Sequence, residues 1–318
     1  MKKGFWYYQH VYKTFKQQQN KSKDSDLKFY NFWDEKSLQD YWLYRFINHH
    51  KLNPTKKEVT LLSVFGFEEM IYLTKRPRIF YTGENVYLLQ KSYQKYYGNK
   101  VDLALGFDDI EKKNYLRLPF WILRIVSPES DFKELEKTIA LYNDSANRLN
   151  PDRTRFACNI SRHDNNGLRR DIITDLNKIS NVDCAGKFLN NTQELFEKYN
   201  DNKSLFLRNY KFNICPENSN AKGYVTEKPF ESIRSGCIPI YWGSDNYPEP
   251  EILNHDAIIF YNKDGDNSAA LEKIERIQNS DEEFKKFAEI RPFQDNAAVL
   301  IWETIEQLKD NIQKVINK

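Results

Sequence analysis

A chain of 318 residues is long for one domain and comfortable for two, and 40% hydrophobic with 29% charged residues describes a protein that buries cores instead of staying disordered. A net charge of +3 is too balanced to demand nucleic acid as a partner; it suits an enzyme acting on anionic nucleotides or beside anionic lipids. No apolar run approaches the roughly 18 residues of a membrane span, and the first residues lack a secretory signal's apolar core, so the expected location is a reducing cytoplasm or the inner face of the cell membrane.

Cys158, Cys184, Cys215 and Cys237 lie far apart without a Cys-x-x-Cys pair, and read as buried free thiols. Aromatic content of 15% is explained first by the bias of an AT-rich gene and second by glycan stacking.

In chain order, residues 1–23 carry Lys2, Lys3, Lys13, Lys16, Lys21 and Lys23 and no acid, with Phe5, Tyr8, Val11, Tyr12 and Phe15 at helical spacing. This is a basic amphipathic segment, either lying on an anionic membrane or packing on its own domain. Residues 27–148 then alternate strands with helices. Strands are expected over 27–33, 59–65, 78–81 and 101–107, and helices over 36–52, 68–73 and 131–142, the last opened by Ser130. The polar stretch 143–154 is the expected domain boundary. Residues 152–290 repeat the pattern, with strands at 156–161, 211–215, 238–242 and 257–261 and helices at 168–179, 226–235 and from 268. Within 292–318 a helix over about 295–315 puts Ile301, Ile305, Leu308, Ile312 and Val315 on one stripe. The fold class is therefore α/β: two domains with parallel sheets covered on both faces, and a C-terminal packing helix.

The densest chemistry lies in Lys211-Phe-Asn-Ile-Cys-Pro-Glu-Asn-Ser-Asn-Ala-Lys-Gly-Tyr-Val-Thr-Glu-Lys228, a strand leading through a polar loop to a helix that Thr226 can cap and Pro229 can open. The carboxyl end of a strand in an α/β sheet is where ligands bind. A helix N-terminus with Lys228 beside it suits a diphosphate, and Glu227 can accept hydrogen bonds from a ribose diol. The alternative is a capped helix with a surface ion pair. Asp24-Ser-Asp26 and Asp264-Gly-Asp266 read as solvated turns, and His49-His50 and His163-Asp164 lack convergent partners at metal-ligand spacing.

Tyr210–Ser219, Tyr224-Val-Thr-Glu-Lys228 and Gly236-Cys-Ile-Pro-Ile-Tyr-Trp-Gly243 together resemble the signature of the α1,3-fucosyltransferase family, bacterial members included. Phe80-Tyr-Thr-Gly-Glu-Asn85 resembles its acceptor-side loop. Leu105-Gly-Phe-Asp-Asp109 with Tyr115-Leu-Arg-Leu-Pro119, and Phe156-Ala-Cys158 with Leu168-Arg169, match in the same order. The resemblance spans about residues 27–262. It implies two facing Rossmann-like domains of the GT-B type, the first binding the acceptor and the second a GDP-sugar. By position, Arg169 and Lys228 would neutralise the diphosphate, Tyr224 and Glu227 would hold the ribose and nearby sugar atoms, and Asn218 would line the same pocket. Glu84 would be the general base; read without the resemblance, it is a turn residue. Asp108 and Asp109 are its nearest rivals by motif.

The implied function is an inverting hexosyltransfer of fucose from GDP-fucose, α1,3-linked, to an oligosaccharide or lipid-linked glycan such as lipopolysaccharide or capsule. No cofactor or metal is required, a divalent ion being at most a stimulant. Pro216, where many members have Phe, and Arg162-His163, where many have Ser-Asn, lie close to the donor pocket and leave a different nucleotide sugar as the alternative. A reading from another class is a non-catalytic glycan- or membrane-binding relative, against which the retained Glu84, Arg169, Glu227 and Lys228 argue.

Overall fold

A computed structural model of the chain describes residues 4–33 and 37–318; Lys2, Lys3 and Lys36, used above, lie outside the described residues. The chain divides into two compact units, Met1–Asp131 with Ile301–Lys318, and Phe132–Leu300. The polar stretch 143–154 lies inside the second unit, and residues 301–318 group with the first.

The first unit holds β1 (Leu27–Tyr30), β2 (Val59–Leu62), β3 (Arg78–Tyr81), β4 (Leu103–Gly106) and β5 (Tyr115–Arg117), all parallel and in the spatial order β1-β2-β3-β4-β5. β2 and β4 are buried along their whole length, as expected of strands covered on both faces. The N-terminal helix, Phe5–Lys21, packs here through one face: Val11 and Phe15 are buried, Phe15 stacks on Tyr30 with ring centroids 5.1 Å apart, and the Tyr7 hydroxyl donates to Glu69 at 2.8 Å. The helix expected over 36–52 is an α-helix only over Trp42–His49, preceded by a 3₁₀ turn at Leu38–Asp40 that Ser37 and Asp40 close as a capping box. The helix expected over 68–73 is a 3₁₀ turn, Glu68–Tyr72.

The second unit holds β6 (Arg155–Asn159), β7 (Val182–Cys184), β8 (Tyr210–Ile214), β9 (Ile238–Tyr241) and β10 (Ile259–Phe260), again all parallel. Their order is β10-β9-β8-β6-β7. From β6 the chain steps outward to β7 and then returns to lay β8 on the other flank of β6, so the order reverses between β6 and β8. Crevices outside the carboxyl ends of strands at such a reversal are the usual ligand sites of open α/β sheets. The core here is Phe156, Phe212, Ile214, Ile238 and Ile240 from the strands with Leu168, Ile172 and Leu176 from the following helix, Leu168–Leu176. All four cysteines are buried and free. No helix among the described residues is long and apolar enough to cross a membrane.

Candidate functional site

At the reversal point, β6 runs into the loop containing His163 and Asp164, while β8 continues as Cys215-Pro216-Glu217. Cys215 N–H donates to Ile240 carbonyl at 3.0 Å and Glu217 N–H to Trp242 carbonyl at 2.8 Å, so the β8–β9 ladder carries Glu217 to the sheet's carboxyl edge. The helix Leu168–Leu176 starts across the crevice. Asp164 accepts from the N–H groups of Arg169 and Arg170 at 3.1 and 3.0 Å, satisfying two donors of its first turn. Arg169 is buried, and its Nη2 donates to the Pro216 carbonyl at 3.1 Å and to Asn218 Oδ1 at 2.9 Å. Burial pulls this guanidinium below its ordinary pKa, with Asp164 and Glu217 offsetting part of the effect.

Glu217 is fully buried and accepts from four donors. Its Oε1 receives the Thr226 N–H at 2.8 Å and the Tyr241 hydroxyl at 3.4 Å; its Oε2 receives the Thr226 hydroxyl at 2.7 Å and Lys228 Nζ at 2.8 Å. Lys228 also donates to Thr226 Oγ1 at 2.8 Å. Burial works against the Lys228 charge, yet Glu217 and Glu227 outweigh it and hold the ammonium above the usual lysine range, with Arg169 opposing them. The sequence string contains Glu217, but sequence reasoning gave it no role. The available signal was a carboxylate placed three residues past an apolar strand, where only pairing makes burial tolerable.

The expected cap at Thr226 is not formed: the helix runs Lys228–Arg234, its N-cap position is Glu227 without a side-chain cap bond, and the Thr226 hydroxyl is spent on Glu217. A buried carboxylate is the stronger acceptor, so Thr226 serves the ion pair instead of the helix. Pro229 does fall in the first turn. The loop between Glu217 and Thr226 is pinned by Asn220 and Asp245, which exchange hydrogen bonds of 2.6 and 2.8 Å, and by Gly223 N–H donating to Ser244 Oγ at 3.0 Å. Gly243, at φ +147°, passes so close to Glu217 that a Cβ there would lie 2.6 Å from Glu217 Cγ. The structure thus pairs Arg169 with Asn218 and Lys228 with Glu217, and the Glu217 charge also acts on Arg169. Tyr224 is buried two residues before Thr226, and Glu227 is half-buried beside Lys228.

In the first unit, Glu84 stands in the loop after β3, half-buried, its N–H donating to Thr82 Oγ1 at 3.0 Å. Asn85 beside it is buried and caps the turn Val86–Leu88 through Tyr87 N–H at 3.1 Å. Of the two rivals, Asp108 is buried and accepts from the Tyr87 and Tyr96 hydroxyls at 2.9 and 2.7 Å, one on each oxygen, and Asp109 is exposed. Among the described residues no three of His, Cys, Asp or Glu converge as a metal site. Asp266 of the second Asp-x-Asp pair caps Ser268, whose N–H and hydroxyl reach its Oδ1 at 2.9 and 2.6 Å.

Two family models match: glycosyltransferase family 10 (fucosyltransferase), C-terminal part, over residues 150–315, and the alpha-(1,3)-fucosyltransferase FucT N-terminal domain over residues 27–124. The chain is 32% identical over 211 residues to an alpha-(1,3)-fucosyltransferase FucT of Helicobacter pylori, covering 56% of this chain and 41% of that protein. It is 32% identical over 120 residues to alpha-(1,3)-fucosyltransferase B of Drosophila melanogaster, covering 35% of this chain and 27% of that one. The chain therefore spans less than half the length of these curated relatives. A crystal structure of an alpha1,3-fucosyltransferase superposes with a TM-score of 0.60 at 21% identity, over 90% of this chain and 91% of that one. A second alpha1,3-fucosyltransferase structure, with GDP-fucose, gives 0.59 at 20% identity over 89% and 90%. These likenesses bear out the α/β architecture of two parallel-sheet units of the GT-B type.

Proposed function

This chain belongs to glycosyltransferase family 10, the fucosyltransferases, and we propose that it transfers fucose from GDP-fucose to a hydroxyl of a bacterial surface oligosaccharide or lipid-linked glycan, forming an α1,3 linkage with inversion. The observation that carries this reading is the pair of cations at the strand-order reversal of the second unit, Arg169 held by Asn218 and Lys228 held by the buried Glu217. In the reaction the acceptor oxygen attacks the anomeric carbon while the bond from that carbon to the diphosphate oxygen breaks, and GDP leaves with the electron pair. Arg169 and Lys228 stabilise the charge that grows on the leaving diphosphate. Glu84 takes the acceptor proton. Tyr224 and Glu227 hold the ribose and adjoining sugar atoms.

The test is a thermal-shift series with GDP, UDP and their fucose- or hexose-linked forms, followed by GDP release from GDP-fucose over an acceptor panel. A ligand at a hundredfold excess over its Kd stabilises by about 2.7 kcal/mol. A shift with UDP and none with GDP would overturn the donor assignment and leave the fold untouched.

The N-terminal helix supports a place of action at an anionic membrane. Its packed face carries Tyr7, Val11 and Phe15, while Phe5, Trp6, Tyr8 and Tyr12 stand 72, 81, 52 and 53% exposed with Lys13 and Lys16 between them. Aromatic rings interleaved with lysines on one helical face match the headgroup layer of a bilayer, where rings bury and ammonium groups meet lipid phosphates.

A further inference from the structure

Between the buried Glu217 and the buried Tyr224 the chain belongs to no helix or strand, and Asn218, Asn220 and Lys222 are exposed. This stretch carries Asn218, which holds Arg169, and it delivers Tyr224. With its side chains outside the core, it takes its shape from hydrogen bonds, and those come from the turn that follows β9. Ser244, Asp245 and Asn246 all have left-handed backbone, at φ 50°, 54° and 53°. L-residues adopt this conformation singly, because each sets its Cβ against a backbone carbonyl, a clash that glycine lacks. Three in succession without a glycine form a strained turn that surrounding contacts must hold.

Each of the three side chains makes a bond that glycine could not. Ser244 Oγ accepts from the Gly223 N–H at 3.0 Å, one residue before Tyr224. Asp245 Oδ1 accepts from Asn220 Nδ2 at 2.6 Å while its N–H donates to Asn220 Oδ1 at 2.8 Å, two residues past Asn218. Asn246 Nδ2 donates to the Tyr261 carbonyl at 3.1 Å and to Asn262 Oδ1 at 3.0 Å, fastening the turn to the end of β10. Two strained residues thus face the loop and the third faces the sheet. A loop ordered before its ligand arrives spares the binding step that cost in entropy. We propose that the turn Ser244–Asn246 is a positioning device for the donor loop, with Asp245 acting through Asn220 on Asn218 and Ser244 acting through Gly223 on Tyr224. This deepens the GDP-fucose reading of that crevice and rests on it.

The experiment pairs tryptic cleavage after Lys222 in the unliganded full chain, followed by mass spectrometry, with GDP affinity measured by calorimetry. The wild type should be cut slowly there, because cleavage requires the loop to open. Asn220→Ala removes both bonds of the Asn220–Asp245 pair. It should speed the cut and weaken GDP binding about tenfold each, the scale of one or two hydrogen bonds, with an unchanged melting temperature. Asp245→Gly accepts the left-handed backbone and loses only the side-chain acceptor, so it should move both readouts the same way but less far. It also reads the question if Asn220→Ala does not fold. Asp245→Asn, which retains an acceptor oxygen, should behave as the wild type. Asn220→Ala combined with Asp245→Gly should equal Asn220→Ala alone, as two residues sharing one contact must. Equal cleavage in wild type and Asn220→Ala, faster cleavage with unchanged GDP affinity, or additive losses in the double variant would overturn the device. A wild type that binds UDP and not GDP, with the cleavage contrast intact, would instead unseat the donor assignment and uphold the tether.

Discussion

Glu84→Gln keeps size and hydrogen bonding and removes basicity, so turnover should fall by roughly 10²–10⁴-fold with GDP affinity, measured calorimetrically, near wild type. Retention of more than about a tenth of the activity would place the base elsewhere, and Asp108→Asn and Asp109→Asn would be the next variants to assay. Lys228→Ala should lower turnover more than it weakens GDP binding, because the charge it meets is largest in the transition state. With two cations already at the crevice, considerable activity should remain in EDTA; complete loss restored by manganese would show that a metal shares their task. Glu217→Gln should destabilise the fold by roughly 3 kcal/mol, the scale for removing one partner of a buried pair, and raise the donor KM. Lys228 and Arg169 are legible in sequence as cations beside a polar loop. Glu217 is not, because its meaning comes from burial and from Tyr241 and Gly243, residues remote in the chain.

At the scale of elements, the strands that sequence reasoning located are the apolar ones. β7 and β5 escaped it because each is only three residues long and carries polar positions, Asp183 in one and Tyr115 and Arg117 in the other, so that pairing with a longer neighbour defines them. The N-terminal helix was legible as amphipathic, but a single stripe conceals its two apolar faces. That division dictates the experiment. Deleting residues 1–23 would uncover Tyr30 and Phe67, whereas Trp6→Ala, Tyr8→Ala and Tyr12→Ala together leave the packed face whole. The triple variant should lose binding to phosphatidylglycerol vesicles with an unchanged melting temperature, and Lys13→Glu with Lys16→Glu should weaken it by about 1 kcal/mol per lost lysine or more. Equal sedimentation of wild type and triple variant would refute membrane contact by this face.

At the scale of the whole molecule, stability should decline in mild acid. His50, whose ring Nε2 lies 3.2 Å from the Pro128 carbonyl, has its pKa lowered by burial and then by Lys309 and His49. A depressed folded-state pKa means this contribution is fully present above the ordinary value of 6.5 and is lost as pH falls through the lower folded value. The melting temperature should therefore drop on acidification below about pH 6.5, and His50→Gln, which can keep the bond to Pro128, should flatten that slope. An unchanged slope in the variant would assign the acid sensitivity to other groups.

Lys309 reaches His50 from a segment far along the chain, and with it come Ile301, Ile305, Leu308 and Ile312, all buried, and the Ile316 carbonyl, which accepts from Lys57 at 3.2 Å. The unit begun by the earliest residues is thus completed by residues 301–318, with the entire second unit encoded in between. During vectorial synthesis the second unit can finish while the first still lacks these side chains. Released nascent chains halted before residue 301 should accordingly carry a protease-resistant second unit and a cleavable first one, and the first unit would mature only once residues 301–318 have emerged.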